Sequence, residues 1–194
     1  MNNSPTKDIF TIKNLYSFEQ KALEVFQYQA THNPIYKSFI EHLGIAPIKV
    51  DRVAQIPFLP IAFFKQHEVR IPGKVEQLFT SSGTTGMEPS KHWVHDVSVY
   101  QESYRTAFNL FYGDISQYTL LALLPSYAER EGSSLIYMVD DLLQQAQEGS
   151  GYYLHNQQEL FEKLENLKDG VIDPNNRGIK NIINLITIFI LKNL

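Results

Sequence analysis

Tyr118-Thr119-Leu120-Leu121-Ala122-Leu123-Leu124 decides the fold class. It is an apolar run of strand length, without the alternation of a strand that has one wet face. Such a run suits a strand buried on both faces, as in a parallel sheet. The flanking segments agree. Pro125 to Gly132 reads as a loop, and Ser133 to Gln147 has helical spacing with Leu135, Val139, Leu142 and Leu143 turned inward. Gly151 to His155 reads as a second short strand and Gln157 to Leu167 as another helix. Upstream, Asp96 to Phe111 is helical, with Val99, Tyr100, Ser103, Phe108 and Phe111 available for one face. This alternation predicts an α/β protein in which N-terminal helices precede β-α units that form a mostly parallel sheet with crossover helices.

The N-terminal part carries its own punctuation. Phe18, Ala22, Val25, Phe26 and Gln29 follow helical spacing, with Ser17 and Gln20 in a capping-box pattern. His32-Asn33-Pro34 stops that helix, and a second runs from Pro34 to Leu43, ended by Gly44. Pro47, Pro57 and Pro60 make the next stretch an extended connector. It carries a hydrophobic cluster from Ile56 to Phe64. Val69 to Ile71 and Val75 to Phe79 read as strands split by the turn Pro72-Gly73, and His92 to Val94 as a further strand.

The chain has 194 residues, of which 43% are hydrophobic and 20% charged, so it has the make-up of a folded domain. Its net charge of −4, without a basic run, argues against a nucleic-acid partner. It contains no cysteine, which excludes disulfides, thiolate metal sites and a cysteine nucleophile within these residues. Met1 to Lys13 is polar and has no signal-peptide core, so a cytoplasmic location is expected. The longest apolar run, Ile182 to Leu191, falls short of the roughly 20 residues that span a bilayer.

One segment has the make-up of an anion cradle: Thr80-Ser81-Ser82-Gly83-Thr84-Thr85-Gly86, followed by Met87-Glu88-Pro89-Ser90-Lys91. Two glycines permit a tight turn and close backbone approach, and successive N–H groups can form a nest for phosphate oxygens. Ser81, Ser82, Thr84 and Thr85 add hydroxyl donors, and Lys91 adds a positive charge. The spacing is not that of a Walker A loop or of a dinucleotide fingerprint. The plain alternative is a polar surface turn.

The string from Phe79 to Gly86 resembles the phosphate-binding loop of the adenylate-forming ligases, the superfamily of acyl-CoA synthetases and luciferases. Pro89 and Lys91 stand for the proline and lysine that follow that loop, each displaced from the commonest spacing. Ser90 to Val94, Tyr100, Tyr104, Leu124-Pro125-Ser126-Tyr127 and Glu131-Gly132-Ser133-Ser134-Leu135 look like the LuxE-type acyl-protein synthetases within it. So do the N-terminal helices and Pro57-Phe58-Leu59-Pro60. The resemblance covers Ser17 to about Asp169.

It implies ATP- and Mg2+-dependent activation of a fatty acid to acyl-adenylate, followed by transfer to a thiol of an acceptor protein or acyl carrier. Ser81, Ser82, Thr84 and Thr85 would donate to phosphate, Gly83 and Gly86 would shape the backbone, and Lys91 would be a counter-charge. Ser126 and Tyr127 would lie near the acyl or nucleotide pocket. No metal-ligating residue is assigned.

The family pattern continues with an adenine-contacting loop, acidic ribose and magnesium residues, a C-terminal lid and an acceptor cysteine, none of which is seen after Gly170. The expected arrangement is therefore an incomplete ligase N-terminal domain over residues 1–170. Residues 171–194 form an atypical tail rich in Ile, Asn and Lys, read either as a native amphipathic helix or as an out-of-frame translation. A truncated sheet would favour self-association. The competing functional reading is a non-catalytic remnant or binding module that keeps the nucleotide loop. A third is an esterase-like hydrolase acting through Ser126, although Ser126 lacks a nucleophile elbow. His92 and His95 read as surface or partnered histidines. Glu129-Arg130-Glu131 and Asp140-Asp141 read as solvated charge.

Overall fold

The computed structural model describes residues 5–6, 8–81, 88–126 and 128–169. It is a mixed α/β protein in which helix predominates and the sheets are small. The chain divides into two compact units, Met1–Tyr100 and one that begins at Gln101. The tail over residues 171–194, with its two readings, lies outside the described residues.

In the first unit, α1 (Leu15–His32) and α2 (Pro34–His42) pack together. The expected cap at Ser17 sits three residues earlier. Asn14 Oδ1 accepts the Ser17 N–H at 2.9 Å, and Ser17 Oγ accepts the Asn14 N–H at 3.4 Å. Asparagine caps as well as serine, and the earlier start adds nearly a turn of helix. The stop at Asn33 appears as expected and serves both helices. Its N–H closes α1 on Gln29 O at 3.0 Å, while its Oδ1 accepts the Tyr36 N–H of α2 at 3.2 Å. Pro34 takes the first position of α2, where a missing N–H costs nothing. Gly44 ends the segment at φ 68°, a conformation glycine adopts without strain.

Phe26, Ala30, Tyr36, Ile40 and Val50 form the buried core of this unit. The connector after Gly44 is tied down through its carbonyls. Gln27 Nε2 donates to Pro47 O at 2.8 Å and Tyr36 OH donates to Pro57 O at 2.6 Å. The connector holds two 3-10 turns, Pro47–Lys49 and Val53–Gln55, and leads to the short helix α3 (Phe63–Gln66).

Val69 to Ile71 does not form a strand. Arg70 Nε donates to Glu68 at 2.5 Å and its Nη1 donates to Gly73 O at 3.2 Å, which folds this stretch into a turn. The first strand, β1, starts only at Gln77 and runs to Thr80. It pairs with β2 (Lys91–Val94), and the pairing is antiparallel, with Leu78 opposite Trp93 and Thr80 opposite Lys91. The expectation of a mostly parallel sheet fails here for a geometric reason. The intervening segment is too short for the crossover of a dozen or more residues that parallel strands require.

The second unit carries the expected β-α-β crossover. Most of α4 (Val97–Tyr112) lies in it. β3 (Leu121–Ala122) pairs in parallel with β4 (Gly151–Tyr152), and α5 (Ser134–Gln145) connects them. α6 (Gln157–Asp169) follows β4. The Tyr118–Leu124 run is covered on both faces. Leu121 and Leu123 pack with Tyr153, Leu160 and Leu164. Ala122 and Leu124 pack with Leu135, Met138, Val139 and Leu143. Alternate residues thus meet α6 on one side and α5 on the other, as a strand with two dry faces demands. On α4, Tyr104 is the buried aromatic, whereas Phe111, expected inward, is 76% exposed.

Leu121→Ala is expected to lower the unfolding free energy by about 2–5 kcal/mol, because it opens a cavity in a packed core. Phe111→Ala is expected to change it by less than about 0.5 kcal/mol. Urea titration of both variants checks the assignment of the buried strand.

Candidate functional site

The glycine-rich loop leaves β1 and returns into β2. Ser82, Gly83, Thr84, Thr85 and Gly86 lie outside the described residues, as does Tyr127. The base of the loop is described. Ser81 N–H donates to Ser90 O at 3.0 Å, and Ser90 N–H donates to Ser81 Oγ at 2.9 Å. The first is a backbone bond one step past the paired register and the second is accepted by a side chain, and together they strap the ends of the loop. Ser81 Oγ is thus engaged as an acceptor.

Lys91 is partly buried directly across from Thr80, one step below the strap. Opposite residues of an antiparallel pair share a face, so Leu78, Thr80, Lys91 and Trp93 lie together on one side of the hairpin. Arg70 stacks over Trp93 on that side, its guanidinium carbon 5.6 Å from the ring centre. On the other side Phe79 packs edge-on against Tyr100 at 5.3 Å. His92 lies 6.3 Å from Phe64. His92 keeps much of its surface in water, but desolvation of its imidazole lowers the pKa. His95 Nδ1–H donates to Lys74 O at 2.6 Å, which holds it to the Gly73 turn.

The second unit places Ser126 beyond the end of β3. Its N–H and its hydroxyl both donate to Glu129 Oε2, at 2.7 and 2.8 Å. The other oxygen, Oε1, meets His155 Nε2 at 2.9 Å, just beyond β4. The Ser126 N–H first, and then its hydroxyl, hold the Glu129 pKa below the usual carboxylate value. A hydrolytic triad needs the serine hydroxyl against the imidazole. Here the carboxylate stands between them, so this arrangement does not activate Ser126 as a nucleophile. Glu129 and His155 escaped the sequence reading. Glu129 sits in a charged loop of ordinary composition, and its partner is 26 positions away.

Asp141 is also not the solvated charge expected from sequence. Arg105 Nε and Nη2 reach its two oxygens at 2.9 and 2.5 Å. Burial alone would raise the Asp141 pKa, but the Arg105 hydrogen bonds and the nearby Tyr104 hydroxyl outweigh it and lower the value. Asp140 accepts from Tyr152 OH at 3.3 Å and from Gln144 Nε2 at 3.2 Å. Burial first, and then the Asp140 charge, raise the Tyr152 pKa. Both carboxylates are structural.

Among the described residues, no helix is long and apolar enough to cross a membrane, and no cluster of three or more acidic, histidine or cysteine side chains is placed to hold a metal ion. No family model, curated protein or solved structure matches this chain.

A depressed folded-state pKa stabilises the protein above the unfolded value and loses that contribution as pH falls through the folded value. Asp141→Asn is therefore expected to lower stability at pH 7 by about 1.5–3 kcal/mol, the range for hydrogen bonds to a charged group. It is also expected to flatten the loss of stability below about pH 4, the unfolded carboxylate range. Thermal melts of wild type and variant between pH 3 and pH 7 read both effects.

Proposed function

We propose that this chain carries the nucleotide-binding part of an acyl-adenylate-forming ligase of the LuxE type. In this reading it binds ATP with Mg2+, and a fatty-acid carboxylate attacks the α-phosphate, forming acyl-adenylate and releasing pyrophosphate. The acyl group then passes to a thiol on an acceptor protein or carrier. The observation that carries the reading is the glycine-rich string from Ser81 to Gly86 set between two paired strands and strapped at its base by Ser81 and Ser90. The strap fixes the two points at which the string leaves and rejoins the strand pair. The string's composition supplies backbone N–H groups, hydroxyls and the Lys91 ammonium for phosphate oxygens. Phosphoryl and adenylyl chemistry draws mainly on positioning and charge neutralisation, which such a loop can provide.

The α/β crossover of the second unit supports the same reading. It brings the loops that follow β3 and β4 to one edge of a parallel pair, and open α/β sheets bind ligands at that edge. The finer arrangement proposed is an incomplete ligase N-terminal domain over residues 1–170.

Incubation with ATP, Mg2+, a panel of fatty acids and hydroxylamine is expected to give acyl-hydroxamate. ATP binding without hydroxamate would instead identify a binding module that retains the loop. Gly83→Val is expected to abolish ATP binding by blocking close backbone approach. Lys91→Ala is expected to weaken it about tenfold, or about 1.4 kcal/mol, without a comparable loss of stability. Calorimetric titration with ATP measures both. Unchanged affinity in the two variants would remove the loop from the site.

A further inference from the structure

Within the first unit, α2 carries more apolar surface than the core takes up. Tyr36 and Ile40 are buried in that core. Ile35, Ser38, Phe39 and His42 follow the i, i+3, i+4, i+7 spacing of a second stripe on the same helix. That stripe and two residues of α3, Phe63 and His67, line a cleft of about 300 Å³. Its walls are mainly apolar and aromatic. Phe39 meets Phe63 edge-on with ring centres 5.6 Å apart, and Phe63 and His67 have ring centres 5.0 Å apart. An apolar cavity of about 150 Å³ takes up benzene, so this volume admits one substituted ring. Mostly apolar walls with a few polar groups are the usual make-up of a small-molecule site.

The polar groups here are two imidazoles and one hydroxyl, all on residues that reach solvent. His42 Nδ1 lies 2.7 Å from Ser38 O. A carbonyl oxygen only accepts, so Nδ1 carries a proton and donates it. This bond pins the ring to its own helix and leaves Nε2, on the far side of the ring, for a ligand. Neither His42 Nε2 nor the His67 imidazole has a hydrogen-bond partner among the described residues.

We propose that the cleft between α2 and α3 binds a small phenol, its ring against Ile35, Phe39 and Phe63 and its hydroxyl on His42 Nε2. The hydroxyl follows from the imidazole. It both donates and accepts, so it pairs with Nε2 whether that nitrogen holds a lone pair or a proton. A carboxylate only accepts, and a bare hydrocarbon ring does neither. The ring follows from the walls. Aromatic groups pair edge to face or offset at about 4.5–7 Å, as Phe39 and Phe63 already do. A rigid ligand also has little conformational freedom to lose on binding. The site stands apart from the ligase reading, because every residue that lines it lies outside the glycine-rich string.

The test titrates isotope-labelled full-length protein with p-cresol, and with toluene and p-toluate as rings of matched shape that lack the hydroxyl. In NMR spectra p-cresol is expected to give saturable shifts centred on Ile35, Phe39, His42, Phe63 and His67. Toluene is expected to bind about fivefold more weakly, the worth of one hydrogen bond, and p-toluate is also expected to bind more weakly than p-cresol. His42→Phe is expected to erase the preference for p-cresol over toluene with Tm unchanged. Ser38→Trp, a substitution at an exposed position, fills the cleft and is expected to abolish binding of both. The comparison of the three ligands on the wild type decides the matter alone if either variant fails to fold. No saturable shifts with p-cresol, shifts centred on other residues, equal affinity for toluene, or a preference that survives His42→Phe would each overturn the proposal. Tighter binding of p-toluate would overturn it too, and would mark an anion site instead.

Discussion

A parallel strand pair cannot keep one face dry and the other wet, because the crossover that joins its strands must cover a face and the chain that leaves must cover the other. In the second unit this constraint acts on very few residues. β3 and β4 share a two-residue ladder, too short to hold by its hydrogen bonds alone. Burial holds it. Leu120, Leu121, Ala122 and Leu124 are all within 7% of complete burial, and each fully buried leucine contributes about 1.5–3 kcal/mol. α5 and α6 exist where they do because those side chains alternate between two faces that both need cover.

The first unit solves a different problem with local means. Its connector is poor in regular structure, so backbone carbonyls that a ladder would have used must find other donors. Gln27 and Tyr36 supply them, reaching from the two helices to Pro47 and Pro57. Asn33, only 6% exposed, bridges the helix junction: its N–H and side-chain amide donate to Gln29, its Oδ1 accepts from Tyr36 N–H, and its carbonyl accepts from Lys37 N–H. The β1–β2 hairpin follows in the chain, and Ser81 and Ser90 strap it just past its last strand pair, Thr80 with Lys91.

What the sequence made legible tracks how local the cause is. The apolar run at Tyr118–Leu124 writes its two-sided burial directly into composition, and Asn33-Pro34 writes a junction into adjacent residues. Ser17 misled because Asn14 and Ser17 both begin valid capping patterns, and only the extra turn of helix separates them. Val69 to Ile71 has strand-forming residues but no partner strand among the described residues, and strand preference is realised through neighbours rather than by the backbone itself. Phe111 sits on a helix that offers more than one apolar stripe. The Arg105–Asp141 and Glu129–His155 contacts span 36 and 26 positions, so no local pattern could announce them.

Those two long-range pairs differ in kind. Arg105 meets Asp141 through two parallel bonds, and the carboxylate is largely out of water, so the pair ties α4 to α5 and contributes to stability. Glu129 and His155 are both open to solvent, and an exposed pair of this sort contributes only about 0–1 kcal/mol. Yet Glu129 needs little ordering to make its contact. Its carboxylate is already set by Ser126, three residues away, through two short bonds that close a single turn. The carboxylate thus arrives at His155 pre-aligned. What it imposes is an orientation rather than a large free energy.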